Sequence, residues 1–254
     1  MNRLSTGAIA GVTLLICLVV TPAVAGEALY SDAVEHAARP AADRERDAAR
    51  QPAEVLAFTG IDAGMTVLDL FSGGGYYSEL FSLVVGDTGH VDAHSNAAYL
   101  NFVGEEFEQR HADDRLRNVS VLMAENNELE LESSHYDAVF LSLTFHDFYL
   151  ESTDGWPRID VDRLLAEIKS GLKPGGTITI IDHYAEVGAP IETAESLHRI
   201  DPAFVRDAME AAGFELDAES DVLRNADDDH SKSVFDPSLR GRTDRFMLRY
   251  RKPG

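Results

Sequence analysis

The sequence predicts an α/β fold: a doubly wound, mostly parallel sheet of seven strands, helices on both faces, the last two strands as an antiparallel edge, and helices at the N-terminus. Three observations carry this. Short β-branched and aliphatic runs alternate with helix-length segments from residue 60 onward. A glycine-rich turn follows the first of those runs. The chain has 254 residues, 44% of them hydrophobic and 26% charged, an ordinary globular balance that can bury a real core.

Residues 1–25 read as a secretory leader. Arg3 supplies a positive start, Gly7 to Val20 is an apolar run, and Ala23-Val24-Ala25 is an A-x-A cleavage site. That run is shorter than the roughly 20 residues a membrane-spanning helix needs, so no stable anchor is expected after cleavage. A periplasmic or secreted location follows. Cys17 is the one cysteine of the chain and lies in the leader. The remainder therefore has no thiol nucleophile, no cysteine zinc site and no disulfide.

Residues 26–59 form an N-terminal helical segment in pattern, read as two short helices, with Ser31-Asp32 as an N-cap and an interruption at Arg39-Pro40. Residues 60–254 form the main domain. Its strands are expected at Met65–Leu70, His90–Ala93, Val119–Met123, Tyr136–Leu143, Thr177–Asp182, Glu215–Leu223 and Arg242–Arg251. Its helices are expected at Tyr76–Val85, Ala97–Ala112, Val161–Leu172 and Pro202–Gly213, the third ended by Lys173-Pro-Gly-Gly.

The net charge of −22, from 22 basic and 44 acidic residues, argues against nucleic acid or an anionic membrane as partner, since both are recognised by basic patches. A small-molecule substrate is the expected partner. The sequence is silent on oligomeric state.

The segment Asp69-Leu-Phe-Ser-Gly73-Gly74-Gly75 lies between the first strand and its helix, where doubly wound folds hold cofactors. Glycines there let the backbone approach a ligand. The loop is also close to a dinucleotide fingerprint, and Asp69 separates the two readings. A carboxylate at the strand end repels a pyrophosphate but suits an ammonium. S-adenosylmethionine carries an ammonium and a sulfonium, and its carboxylate can use the N-terminus of the following helix.

With Val67-Leu-Asp-Leu-Phe-Ser-Gly-Gly-Gly, Tyr136-Asp-Ala-Val-Phe-Leu and Leu172-Lys-Pro-Gly-Gly-Thr-Ile-Thr-Ile-Ile-Asp182-His183, the chain resembles the Rossmann-like, class I S-adenosylmethionine-dependent methyltransferases from about Glu54 to Lys252. It is most similar to their signal-peptide-bearing members, which carry a His-Asp after the fourth strand, an Asp-His after the fifth and the segment His198-Arg-Ile-Asp201-Pro. The resemblance implies S-adenosylmethionine as cofactor, with Asp69, Gly73, Gly74 and Gly75 on its methionine part and Glu125 at the adenine amino group. Two positions depart from the family pattern. Phe71 stands where the loop has its first glycine, and Ser95 and Asn96 occupy the place of the acid that chelates the ribose hydroxyls.

His146-Asp147 after the fourth strand and Asp182-His183 after the fifth should open onto the same crevice. They are the candidate catalytic residues. Either histidine can take a proton from an oxygen nucleophile while an aspartate orients it, or the four can simply hydrogen-bond the loops. Together they also make a nitrogen and oxygen donor set, but spacing alone does not bring them to bonding distance, so no metal ligand is assigned. Asp201 reads as a helix N-cap before Pro202. Arg199 and Arg224 read as an anion clamp or as partners of acids. Asp227-Asp-Asp-His230 reads as a solvated turn rather than a calcium loop, and Trp156 and Tyr149 as pocket lining or core.

Three functions compete at this stage. The first is an exported S-adenosylmethionine-dependent methyltransferase acting on a small or medium substrate. The second is a non-catalytic binding protein on the same fold with a repurposed crevice. The third is a metal-assisted hydrolase built on the histidine and aspartate pairs.

Overall fold

The computed structural model describes residues 22–150 and 156–254. Residues 1–21 of the expected leader lie outside the described residues; its last four begin helix α1 (Pro22–Glu35). Among the described residues no helix is long and apolar enough to cross a membrane.

The N-terminal segment differs from expectation. Three helices are found where two were expected: α1, then α2 (Ala41–Arg50) and α3 (Pro52–Thr59). Ser31 and Asp32 lie inside α1 and cap nothing. Pro40 does begin α2, but a second break falls at Gln51, in the left-handed conformation at φ 47°, because Pro52 cannot continue the helix and disfavours the helical region for the residue before it.

The domain then runs β1 (Thr66–Leu70), α4 (Tyr76–Val85), β2 (His90–Ser95), α5 (Ala97–His111), β3 (Val119–Met123), β4 (Tyr136–Ser142), α6 (Val161–Gly171), β5 (Leu172–His183), α7 (Thr193–Leu197), α8 (Pro202–Ala211), β6 (Glu215–Ser220) and β7 (Arg245–Arg251). The seven strands form one sheet in the order β3-β2-β1-β4-β5-β7-β6. β3, β2, β1, β4 and β5 pair in parallel. Only β7 runs against the others, antiparallel to both β5 and β6. β5 starts at Leu172 rather than Thr177, because Lys173-Pro-Gly-Gly is carried within the strand as a register shift against β4 instead of ending the helix as a free turn.

Side chains alternate between two cores, one on each face of the sheet. Leu68, Leu70, Val139 and Leu141 join α6 and α8 through Leu165, Ile168, Val205 and Met209. Val67, Ala138 and Phe140 join α1, α3 and α4 through Ala33, Leu56, Leu80 and Phe81. Burial on both faces is why these strands read as continuous apolar runs. The order reverses between β1 and β4, which opens a crevice at their carboxyl ends.

α5 is the exception to this layering. It contributes only Phe107 and Arg110 as buried residues and crosses the loop after β1 rather than covering the edge strand. Val121 and Met123 of β3 are consequently exposed, at 40% and 48%. The anchor of α5 is Arg110. Its guanidinium donates to Asp43 of α2 at 2.7 and 3.1 Å, to Glu79 of α4, and to the Gly74 carbonyl. Glu79 also accepts two bonds from Arg115, at 2.7 and 2.6 Å.

Removing the buried cation leaves Asp43 and Glu79 paired only with the partly exposed Arg46 and Arg115, which costs up to about 3–5 kcal/mol. Arg110→Ala is expected to lose that much in urea unfolding. Arg251→Ala, whose pairs with Glu215 and Asp217 are exposed and 3.7 and 3.9 Å long, should change stability by less than about 1 kcal/mol.

Candidate functional site

Two cavities meet at the carboxyl ends of the strands. The larger, about 950 Å³, lies between the glycine loop and α5 and is lined by Asp69, Gly73, Gly74, Tyr77, and Arg46 and Arg50 of α2. The smaller, about 520 Å³, is lined by His146, Asp147, His183, His198, Trp156 and Phe235. Tyr99, Asn101, Phe102 and Leu143 wall both. Both volumes lie in the range of small-molecule sites.

Asp69 ends β1 almost fully buried, with Ser78 Oγ of α4 donating to it at 2.5 Å. Burial pushes its carboxyl up to about 7, against the lowering effect of the Ser78 bonds and of Arg110. Phe71 takes φ 53°, the left-handed conformation a glycine would favour there. Its ring is held by His94, Tyr99 and Phe148 at centroid distances of 5.3, 5.8 and 5.7 Å, so packing imposes a loop shape that a glycine would adopt freely. His94 accepts from the Phe71 amide and reaches the Ala124 carbonyl at 3.1 Å. Burial pushes its pKa down to about 4, which keeps it neutral.

Gly74 and Gly75 are small because α5 comes close. A Cβ on Gly74 would overlap Glu106, and one on Gly75 would overlap Arg110. Gly75 also begins α4 at φ 76° and does not line the cavity.

The three residues expected at the adenosine end lie elsewhere. Asn96 is fully buried and caps α5, accepting from the Tyr99 amide at 2.7 Å and donating to Asn126 at 3.3 Å. Glu125 accepts from the Ala97 amide at 3.2 Å. Ser95 is buried and its hydroxyl has no partner among the described residues. None of the three lines either cavity: the first turn of α5 takes the polar groups of Asn96 and Glu125, and Ser95 is buried.

All four candidate catalytic residues come together. Asp182 at the end of β5 is fully buried and accepts from the His146 amide at 2.8 Å, from the His183 amide at 2.7 Å, and bonds His146 Nδ1 at 2.8 Å. His146 Nε2 lies 3.1 Å from Asp147 Oδ1 and 3.3 Å from His198 Nδ1. Burial opposes the charged form of His146, but Asp182 and Asp147 outweigh it and hold the imidazole well above its ordinary value. His183 bonds Thr243 Oγ1 through Nδ1 at 2.7 Å. Burial, then the neighbouring His146 and Arg245, push its pKa well down. His198 is lowered as well, by burial and then by His146.

Tyr99 and Thr243 are site residues that the motifs did not single out, and the sequence assigns no site role to His198, which opens the segment His198-Arg-Ile-Asp201-Pro. The cue for His198 was its neighbour Arg199, a polar residue the fold buries completely: it donates to the carbonyls of Lys232 and Tyr184 at 2.8 and 2.9 Å and to Asp228 at 2.9 Å. Arg199 is therefore structural and no anion clamp. Arg224 pairs with Asp244 at 2.8 Å. Asp228 and His230 join that network, through the Asp244 amide and carboxylate, instead of forming a solvated turn. Asp201 caps α8 as expected, accepting from the Ala203 amide at 2.8 Å. Trp156 lines the smaller cavity, whereas Tyr149 packs on Phe204 outside it.

Residues 68–180 match the family model described as a methyltransferase domain. Among curated proteins the chain is 28% identical over 166 residues to the ubiquinone/menaquinone biosynthesis C-methyltransferase UbiE of Vibrio parahaemolyticus, covering 64% of this chain and 59% of that protein. It is 29% identical over 140 residues to UbiE of Haemophilus ducreyi, covering 52% and 47%. The chain thus spans about half the length of the curated relatives it matches. Among solved structures it superposes on an S-adenosylmethionine-dependent methyltransferase from Aquifex aeolicus with a TM-score of 0.55 at 25% identity, over 78% of this chain and 87% of that one. One from Mesorhizobium loti gives 0.55 at 16% identity, over 81% and 99%.

The raised Asp69 pKa sets a pH dependence of stability. The native state keeps the proton up to about pH 7, whereas the unfolded chain releases it near the ordinary value of 3.8. The contribution of the protonated carboxyl is full below pH 4 and is lost as pH rises to 7, by up to about 1.4 kcal/mol per pH unit. In urea unfolding between pH 4 and 8, Asp69→Asn should flatten this component relative to the parent.

Proposed function

We propose, from the premise that the chain belongs to the class I S-adenosylmethionine-dependent methyltransferase superfamily, that it methylates a small or medium acceptor held in the smaller cavity. The observation that carries this reading is the shared wall. The glycine-loop cavity with its buried Asp69 and the histidine cavity share Tyr99, Asn101, Phe102 and Leu143 as lining residues.

The methionine end of the cofactor fits the donors present. Asp69 offers a carboxylate to an ammonium, and Arg46 and Arg50 line the same cavity and offer cations to a carboxylate. Ser95, Asn96 and Glu125 do not line this cavity, the latter two being committed to α5, so the adenosine end would be held by α5 itself, from Asn101 to Glu106. When bound, S-adenosylmethionine supplies a methyl group already activated by its sulfonium. The chain then has to position the acceptor and, for an oxygen acceptor, receive a proton. Both ring nitrogens of His146 are engaged, by Asp182, Asp147 and His198. His183 lines the cavity and bonds Thr243 through Nδ1; with Nδ1 as the donor in that bond, Nε2 is the nitrogen left to take that proton.

A second reading is a binding protein that keeps the fold and has given up transfer. The use of Asn96 and Glu125 as helix caps favours it. The leader pattern at residues 1–25 supports an exported protein, periplasmic or secreted. The net charge of −22 supports a small molecule rather than nucleic acid as partner.

Calorimetric titration with S-adenosylmethionine and its demethylated product tests the first reading. Binding in the micromolar range is expected, weakened at least tenfold in Asp69→Asn. Because the carboxyl titrates near 7, the affinity of the parent should fall by up to about tenfold from pH 8 to pH 6, with no such fall in the variant. Absence of heat with either ligand and an unshifted melting temperature would transfer the assignment to the second reading. Residues 1–25 fused to a reporter active only outside the cytoplasm should confer export.

A further inference from the structure

We infer that the smaller cavity carries a divalent transition-metal site of the Zn²⁺ class, formed by His146 Nε2, Asp147 Oδ1 and His198 Nδ1, with the open side of the ion facing the cavity. These three residues place ligand atoms within 4.8 Å of one another. The individual separations are 3.1, 3.3 and 3.9 Å. Ligand atoms around a tetrahedral ion with bonds of about 2.0–2.2 Å lie roughly 3.3 Å apart, and a triangle with these sides has a point about 2 Å from all three corners.

The surroundings are those of a held ligand set. His146 Nδ1 is turned to Asp182 at 2.8 Å, which assigns Nε2 as the metal-facing nitrogen and fixes the ring plane. Asp182 is itself pinned by the amides of His146 and His183. His198 is in the left-handed backbone conformation at φ 53°, a strained state for a residue with a Cβ. The buried Arg199 beside it anchors that strain to three partners, so the ring stays aimed at His146.

Charge points the same way. A single proton on His146 Nε2 serves one of the two atoms it faces, whereas a cation at the centre serves all three at once. Two imidazoles and one carboxylate form a borderline donor set, suited to Zn²⁺, Fe²⁺ or Co²⁺ and poorly to Ca²⁺ or Mg²⁺, which prefer oxygen. Three protein ligands leave the remaining coordination to water or to an oxygen ligand in the cavity, as in catalytic rather than structural sites.

The test is a titration of the full chain, stripped with a chelator and desalted, with ZnCl₂ against a competing chromophoric chelator, and with CoCl₂ followed by visible absorption. One equivalent of Zn²⁺ is expected at micromolar affinity or tighter, with MgCl₂ giving no response. The Co²⁺ adduct should show the intense bands of a four- or five-coordinate ion. His198→Gln and Asp147→Asn should each weaken Zn²⁺ binding at least tenfold, and Asp182→Asn by about 10–100-fold through the His146 ring. His90→Gln, at an exposed pair with Asp92, should change nothing. Circular dichroism melts establish that each variant is folded, and the parent's Co²⁺ spectrum reads the site without any variant. A weak six-coordinate Co²⁺ spectrum, no stoichiometric Zn²⁺, or Zn²⁺ affinity unchanged in folded His198→Gln and Asp147→Asn would overturn the assignment. The titration reads the ion alone, so it stands or falls apart from methyl transfer.

Discussion

The carboxylate of Asp182 is the constraint around which the crevice is built. It is fully buried at the end of β5, and a buried charge is tolerated only when its oxygens are bonded. Two backbone amides and one imidazole supply those bonds, from the β4 loop and from the residue after Asp182 itself. The β4 loop is thereby tied to β5, and the His146 ring has one available orientation. Everything that ring then meets, Asp147 on its own turn and His198 after α7, is placed relative to this one carboxylate.

On the other side of the shared wall, a cation organises the structure instead. Arg110 draws α2, α4, α5 and the glycine loop together through two buried carboxylates and one carbonyl. This explains why the glycines of the loop are needed. Their missing side chains admit Glu106 and Arg110, so α5 can lie across the loop and form one wall of the larger cavity. The same placement withdraws α5 from the edge strand and leaves Val121 and Met123 uncovered.

Much of this was legible in residue order. β3 and α4 run over the residues their periodicity marks, α4 between the breakers Gly75 and Gly86 and β3 even though Val121 and Met123 lie exposed. The convergence of His146, Asp147, Asp182 and His183 follows from strand ends alone, since successive parallel strands deliver their carboxyl ends to one edge. What was not legible depends on contacts remote in sequence. Ser31 and Asp32 have the composition of a cap, but no helix starts there. Ser95, Asn96 and Glu125 sit at the expected strand ends, yet α5 draws on the polar groups of Asn96 and Glu125, and no local pattern announces that. His198 enters the site through a strained turn held by a buried ion pair between Arg199 and Asp228, 29 residues apart in the chain, a separation no local pattern spans.

The position of β7 bears on how the molecule is assembled. Its residues, Arg245–Arg251, separate β5 from β6 and hydrogen-bond both. A ribosome releases β6 and the long loop of residues 221–244 before the strand that receives them exists. Until residues 245–251 have been made, β5 has a bare edge and β6 has no neighbour in the sheet. Non-local pairing of this kind is slow to form, because the chain entropy of closing the loop is lost before any bond compensates it. Five of the seven strands can therefore condense around β1 and β4 during synthesis while β6 and β7 wait. A polypeptide with that order of events stays unpaired longest in its last segment, residues 215–254, which joins the sheet as one antiparallel unit.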